Sequence, residues 1–243
     1  MNAVVTGASR GFGRGIAVAL VAEGIDVVGV ARGAEPLQAL ASELGNRFTP
    51  VVADAADPVV AADLVTIHRP EVLVLNAGAV PPMAPVHEQS WTSFVQNWET
   101  DTRHVFEWVG AALRLPLAPG SLVVVISSGA ALRGSPMSGG YAGAKATVRF
   151  IASYAADESD RAGLGLRFVT LLPQLTPLTG VGAVGAAAYA DRQGISVADY
   201  ARGFEPLLTP ELVGAAVVEA LKSLGHQELM LTGSGPLGIP PGR

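Results

Sequence analysis

Apolar residues along this chain fall into two alternating kinds of stretch. Short, largely β-branched runs occupy residues 3–5, 27–31, 51–53, 72–75, 122–126, 168–172 and 229–231, with almost no polar alternation inside them. Strands covered on both faces need this pattern, because a side chain must be apolar whichever way it points. Between the runs, apolar residues recur at three- and four-residue spacing. That spacing predicts helices over 13–23, 36–44, 59–68, 91–115, 141–159 and 210–224.

Strands and helices in this rhythm, joined by right-handed crossovers, predict an α/β fold: a doubly wound, seven-stranded parallel sheet with helices on both faces. Ligands of such sheets lie beyond the carboxyl ends of the strands, so the residues just after each run carry the functional interest. One region breaks the rhythm. Residues 173–205 are rich in Gly, Ala and Thr and predict no strand and only a weak helix near 186–192. A connection this long inside a compact fold reads as a lid. The 243 residues are therefore expected to form one catalytic domain over 1–243, with a substrate lid around 176–205.

Composition narrows the function classes. Hydrophobic residues make up 49% and charged ones 15%, which excludes global disorder. A net charge of −5 with no basic cluster gives no footprint for nucleic acid. Without cysteine there is no disulfide, thiolate metal site or cysteine nucleophile. The start, MNAVVTGASRG, has neither a basic region nor a long apolar one, and no apolar run approaches a membrane span. A soluble, cytoplasmic protein with no membrane partner is the expectation.

The first run leads into TGASRGFGRG, where Gly7, Ser9, Arg10, Gly11, Phe12 and Gly13 form a candidate pyrophosphate cradle. Glycines allow a tight turn and bring the free N–H groups of the next helix against phosphate. The second run ends at VARG, where an NAD site usually offers an acid to the ribose; here Ala31 and Arg32 stand instead. Arg32 and Arg10 suit a 2′-phosphate, since guanidinium presents a planar fork of donors. NADP(H) is therefore favoured over NAD. Asp54, after the third run, either accepts from an adenine amino group or caps the helix starting near Pro58. Asn76, Ala77 and Gly78 follow the fourth run and are placed along the central cleft.

Lys145 is one of only two lysines in a chain that otherwise uses arginine for positive charge, and it follows Tyr141 by one helical turn. An ammonium there stabilises phenolate, lowering a phenol pKa from about 10 toward the working range. A tyrosine so tuned passes a proton to a carbonyl oxygen, or takes one from an alcohol, while hydride moves. Ser128 ends the fifth run, at the sheet edge, where its hydroxyl either donates to the same oxygen or bonds its own backbone.

The motif T-G-x-x-x-G-x-G, then N-A-G, the serine after the fifth strand and Y-x-x-x-K, in that order over nearly the whole chain, resembles the short-chain dehydrogenase/reductase family. The resemblance implies a Rossmann-type subunit with Ser128, Tyr141 and Lys145 as catalytic trio. It also implies hydride transfer without metal and a homodimer or homotetramer built by the fourth and fifth helices. The small residues Ala142, Gly143 and Ala146 would permit close contact there, or else face the sheet.

Two departures stand out. Where the family usually has a relay asparagine in the fourth helix, this chain has Asp101, with Asn97 one turn earlier; Asp101 interrupts the apolar stripe Trp91, Phe94, Trp98, Val105, Trp108, Ala112 and is expected to pair with Lys145 through water. After the sixth strand Pro173 is kept but Gln174 replaces glycine. Backbone near Leu175 and Thr176 is expected against the nicotinamide carboxamide, and Thr179 against the phosphates.

In the lid, Val181, Val184, Tyr189, Ile195, Tyr200 and Phe204 either cover an apolar or aromatic ketone or pack on the domain; Met137 and residues 81–83 join the same pocket. The expected partner is a small carbonyl or alcohol substrate. A 3-oxoacyl thioester is the rival substrate, although no basic patch for an acidic carrier is evident. A non-catalytic NADP sensor would be expected to have lost Tyr or Lys, and an epimerase or dehydratase would need a longer chain.

Overall fold

The computed structural model describes residues 1–115, 117–222 and 227–239. In chain order its strands are β1 (Asn2–Thr6), β2 (Asp26–Ala31), β3 (Phe48–Val52), β4 (Val72–Leu75), β5 (Leu122–Ile126), β6 (Arg167–Pro173), β7 (Gln227–Thr232) and β8 (Gly235–Gly238). They form one sheet in the order β3-β2-β1-β4-β5-β6-β7-β8, doubly wound as expected. All pairs are parallel except the last. The eighth strand corrects the count of seven. Its signal was the Gly-Ser pair at 233–234, which closes a two-residue hairpin, but the short GPLG segment lacks β-branched residues.

The helices are α1 (Gly11–Ala22), α2 (Ala34–Leu44), α3 (Pro58–His68), α4 (Trp91–Asn97), α5 (Arg103–Arg114), α6 (Ala130–Arg133), α7 (Gly139–Arg161), α8 (Gly180–Gln193), α9 (Val197–Arg202) and α10 (Pro210–Ala220). The end predicted for the last helix, Leu224, lies outside the described residues. Alternate strand residues explain the continuous apolar runs. Val5, Val74, Val124 and Leu171 pack with Ile16, Leu37 and Val217 from one helical layer. Val4, Leu73, Val125 and Phe168 pack with Val65, Trp108 and Val148 from the other. Both faces are covered by helices, so side chains of either register position are buried and nearly all are apolar.

Two predicted regions differ. The single helix over 91–115 is interrupted by a π-helical turn at Trp98–Thr102. The extra residue resets the register, so Trp91 and Trp98 leave the apolar stripe and are exposed while Val105, Trp108 and Ala112 stay buried. The predicted lid is mostly helical. Thr179 caps α8 by accepting from Gly182 N at 3.1 Å, Gly194 ends it in the left-handed conformation, and Ser196 caps α9. Its glycines and alanines lowered the helical signal of the sequence, and the caps restore it.

Candidate active site

The carboxyl ends of β1, β4, β5 and β6 open into a cleft of about 980 Å³. At its floor, Gly7 and Gly11 have φ of 67° and 55°, which only glycine adopts without strain. A Cβ on Gly13 would sit 2.1 Å from the Gly7 oxygen, so the third glycine lets α1 start directly over the turn. No acidic residue stands in the first turn of α1. The N–H groups and a cradle bare of side chains fit a pyrophosphate.

Thr6 and Asn76 lock this loop from behind. The Thr6 hydroxyl accepts from Asn76 N at 2.9 Å and Ala77 N at 3.1 Å, and the Asn76 amide donates to the Thr6 and Gly7 oxygens at 3.1 and 3.3 Å. Asn76 thus lines the cleft while its side-chain nitrogen braces the turn; Thr6 opens the T-G-x-x-x-G-x-G motif, but its bracing role did not show in the sequence. Ser9, Arg10, Phe12, Arg32 and Asp54 line the part of the cleft beside the carboxyl ends of β1, β2 and β3. Asp54 does not cap α3. That cap is Asp57, which accepts from Val59 N at 2.8 Å, while Asp54 accepts from Ala56 N at 3.0 Å and shapes the turn before it.

Across the cleft, Pro173 ends β6, and Thr176 and Thr179 follow it. Thr179 stands over the glycine turn, within 3.7 Å of where a Cβ on Gly11 would be. Gln174, at its departure from the family pattern, is used in bracing: its N–H donates to Leu231 O at 2.8 Å and its amide to Phe204 O at 3.2 Å. The side chain therefore ties the strand to the far end of the helical cover.

The reacting end is built on α7. Tyr141, Lys145 and Ser128 all face the cleft. Lys145 Nζ lies 5.7 Å from the Tyr141 ring centroid and donates to Ile126 O at 3.3 Å. The Ser128 hydroxyl accepts from Ala130 N at 3.2 Å, the local backbone bond expected of a turn residue, and it also influences the Tyr141 phenol beside it. Gly140 lets α7 approach α4, since a Cβ there would fall 1.9 Å from Phe94 O. Gly143 sits under the Trp98 ring in the same way, so these small residues serve contacts within the chain.

Asp101 and Asn97 form one network. Asp101 Oδ2 lies 3.2 Å from Lys145 Nζ, a direct ion pair where a water bridge was expected. Its Oδ1 accepts from Ala79 N at 2.8 Å and from Asn97 Nδ2 at 3.4 Å, and Asn97 also donates to Ala79 O at 3.0 Å. The π turn swings Asp101 inward to make this contact. His104, next along and also buried, was missed by sequence reasoning; neither ring nitrogen meets an aligned partner among the described residues.

These contacts set the protonation pattern. Burial disfavours the Lys145 ammonium, but the charges of Asp101 and the Tyr141 phenolate outweigh it and hold its pKa above the usual lysine value. Tyr141 corrects a prediction. Burial pushes its pKa up and Asp101 adds to that, against lowering by Lys145 and Ser128, so the net direction is upward. Burial, then the Lys145 charge, take His104 down to about 3, and it stays neutral.

The model of the short chain dehydrogenase family matches residues 1–183. The chain belongs to the short-chain dehydrogenases. A probable NADP-dependent dehydrogenase of Dichelobacter nodosus is 43% identical over 105 residues, covering 41% of this chain and 94% of that one. A cis-4-hydroxycyclohexanecarboxylate dehydrogenase of Sinomonas cyclohexanicum is 34% identical over 202 residues, 79% of this chain and 81% of the other. The crystal structure of a short-chain dehydrogenase from Streptomyces avermitilis superposes with a TM-score of 0.77 at 28% identity, covering 96% of this chain and 88% of that one.

The far end of this short-chain dehydrogenase's cleft is apolar. Tyr189 and Tyr200 stack with centroids 5.9 Å apart, and Phe204 packs on Tyr200 at 5.3 Å. The Tyr189 hydroxyl meets Ser135 Oγ at 2.6 Å, joining α8 to the segment before α7. Of the predicted lining, Val181, Tyr189, Tyr200, Phe204, Pro81 and Met83 face the cleft. Val184 and Ile195 are exposed instead, and Met137 lies against Arg192. Leu132 and, from the unforeseen β8, Leu237 complete the wall. Among the described residues no helix is long and apolar enough to cross a membrane, and no cluster of metal-ligating side chains occurs.

Proposed function

We propose that the protein reduces a ketone or aldehyde carbonyl to an alcohol with NADPH, reversibly, on an apolar or aromatic substrate. The observation that supports this most is the convergence of Tyr141, Ser128 and Lys145 on one wall of the cleft, opposite the glycine turn. The Tyr141 phenol gives its proton to the carbonyl oxygen as negative charge develops there, and the Ser128 hydroxyl donates a second hydrogen bond. Lys145 holds the phenol in place and screens the phenolate left behind. When bound, NADPH supplies the hydride. The Gly7–Gly13 turn would hold its pyrophosphate, Arg10 and Arg32 the 2′-phosphate, Asp54 the adenine, and Pro173, Thr176 and Thr179 the nicotinamide half. The absence of an acid after β2 and the NADP named in the Dichelobacter relative agree on the phosphate. Tyr189, Tyr200, Phe204 and Leu132 offer a flat, water-excluding seat for an apolar ring.

A panel of ketones, aldehydes and 3-oxoacyl thioesters, with NADPH and NADH followed optically, tests the reading. Aryl and cycloalkyl ketones should be reduced with NADPH preferred. Tyr141→Phe should lower the rate about 10²- to 10⁴-fold while still binding NADPH. A protein that binds NADPH but oxidises it with no carbonyl is a sensor instead.

We further propose that two or four copies assemble through α5 and α7. Phe106, Phe150 and Tyr154 are exposed on these helices, the last two stacked at 6.1 Å. Such apolar surface gains by being covered. Light scattering of Phe150→Glu should report monomers where the parent protein does not.

A further inference from the structure

We propose that Arg133 sets the specificity of this cleft and that the substrate is a ketone or aldehyde carrying a carboxylate on the far side of its apolar ring. The inference rests on the reading above and narrows the substrate from an apolar ring to an anionic oxo acid.

Among the described residues three arginines line the cleft, Arg10, Arg32 and Arg133. The first two belong to the turns after β1 and β2, whereas Arg133 ends α6, which follows β5. In the sheet order β1 and β4 stand between β2 and β5. Three strand spacings, about 14 Å, set Arg133 apart from the corner that Arg10 and Arg32 share. Its surroundings are those of the reacting end. Hydrogen bonds from Ala131 N to Ser128 O and from Leu132 N to Gly129 O wind the chain helically from Ser128, so Arg133 follows that hydroxyl by about 7–8 Å along the axis. Two residues beyond Arg133, Ser135 Oγ meets the Tyr189 hydroxyl at 2.6 Å. Arg133 therefore stands between the reacting hydroxyls and the aromatic wall.

Its guanidinium is free to take a ligand. Arg14 and Arg149 are paired with Glu43 and Glu228, but Arg133 makes no hydrogen bond or ion pair among the described residues. Of the carboxylates lining the cleft, Asp101 is held by Lys145 at 3.2 Å, and Asp54 lies after β3, four strand spacings away. Arg192 of α8 donates to Met137 Sδ at 3.0 Å and adds positive charge to the same rim. The nearby wall is apolar, with Leu132 beside Arg133 and Leu237 from β8.

A neutral ring would fill that wall and leave the guanidinium unused. A carboxylate meets it through two parallel hydrogen bonds, which strengthen as the ring displaces water from around them. Held at both ends, with its carbonyl at Tyr141 and Ser128 and its carboxylate at Arg133, the ring is oriented for reaction before the chemistry begins. Arg133 touches no reacting atom and acts through binding.

The test pairs 4-acetylbenzoate with its methyl ester, which share ring and ketone and differ in charge. With NADPH, kcat/KM for the acid should exceed that for the ester about 10- to 100-fold, through KM, and added salt should shrink the difference. Arg133→Ala should bring the ratio close to one, Arg133→Glu should reverse it, and Arg133→Lys should keep part of it. A ratio that Arg133→Ala leaves unchanged overturns the proposal, as does a wild-type enzyme that favours the ester. Calorimetry on Tyr141→Phe loaded with NADPH reads binding without turnover: the acid should bind about tenfold tighter than the ester, and no tighter once Arg133→Ala is added. That binding difference in a protein that reduces neither compound refutes the catalytic reading and upholds the arginine's role. Equal binding of acid and ester refutes the arginine's role alone. A loss of NADPH affinity in Arg133→Ala assigns the guanidinium to the cofactor and also overturns the proposal.

Discussion

The Ser127 hydroxyl donates to the main-chain oxygen of Lys145 at 2.7 Å, and both residues are buried. This bond pins the helix carrying the phenol and ammonium to the end of β5, while Ser127 N–H donates to Leu171 O and fixes that end to β6. One side chain thus sets the register of α7 against the sheet. Ser127→Ala should cost about 1 kcal/mol of stability, read as a fall of about 2–4 °C in Tm, with a disproportionate loss of kcat. An unchanged kcat at the lowered Tm would mean that α7 keeps its register without the bond.

Arg10 and Arg32 face the same end of the cleft, while the neighbouring Arg14 is taken up by Glu43 at 2.6 Å. Replacing Arg10 or Arg32 by alanine should weaken NADPH binding about 10- to 100-fold and leave NADH nearly unaffected, because only the 2′-phosphate distinguishes the two. Calorimetry with both cofactors checks this. Equal losses for NADH and NADPH would assign the arginines to the pyrophosphate.

His104 makes stability depend on acid. Its folded pKa, about 3, lies below the ordinary 6.5, so in falling pH the unfolded chain takes up a proton that the folded one refuses. The contribution is fully present above pH 6.5 and is lost progressively as pH falls toward 3. Between pH 7 and 5 it should cost about 2 kcal/mol. Urea midpoints at the two pH values should draw together in His104→Leu; an equal acid loss in both proteins would point to another group.

Gly140 and Gly139 are neighbours with different duties. A methyl on Gly140 would enter the Phe94 carbonyl at 1.9 Å, whereas one on Gly139 would only touch the Phe94 ring at 3.4 Å. Gly140→Ala should destabilise by about 1–3 kcal/mol and slow turnover by moving Tyr141, while Gly139→Ala should be close to neutral. Comparison of the two in thermal unfolding and turnover decides whether backbone approach is what the glycine provides.

What the sequence disclosed follows from what period and motif encode. The continuous apolar runs located seven of the eight strands, since a sheet buried on both faces leaves no alternation to confuse. The glycine turn, Tyr141, Lys145 and Ser128 were legible because each sits at a fixed offset from a strand end. The roles of Thr6 and Ser127 were not, because their partners lie 70 and 18 residues away and only the folded chain brings them together, and His104 shows its burial only once the helices pack. Asp101 lay between. Its polarity on an apolar stripe announced a buried partner, but a regular 3.6-residue period carried through the π turn misplaced Trp91 and Trp98 and hid the direct contact with Lys145. The alanine-rich α8 was underread because end caps, and not composition, hold it together.

The π turn at Trp98–Thr102 also has a genetic meaning. Its existence depends on one surplus residue, so removing a single codon there, Glu99 for instance, would restore an ordinary α-helix and leave every motif of the sequence intact. The same excision would rotate Asp101 by about 100° around the helix axis relative to α4, away from Lys145. A lineage could therefore acquire or discard this carboxylate's ion pair with Lys145 in one deletion event, without a substitution at any residue of the Y-x-x-x-K signature.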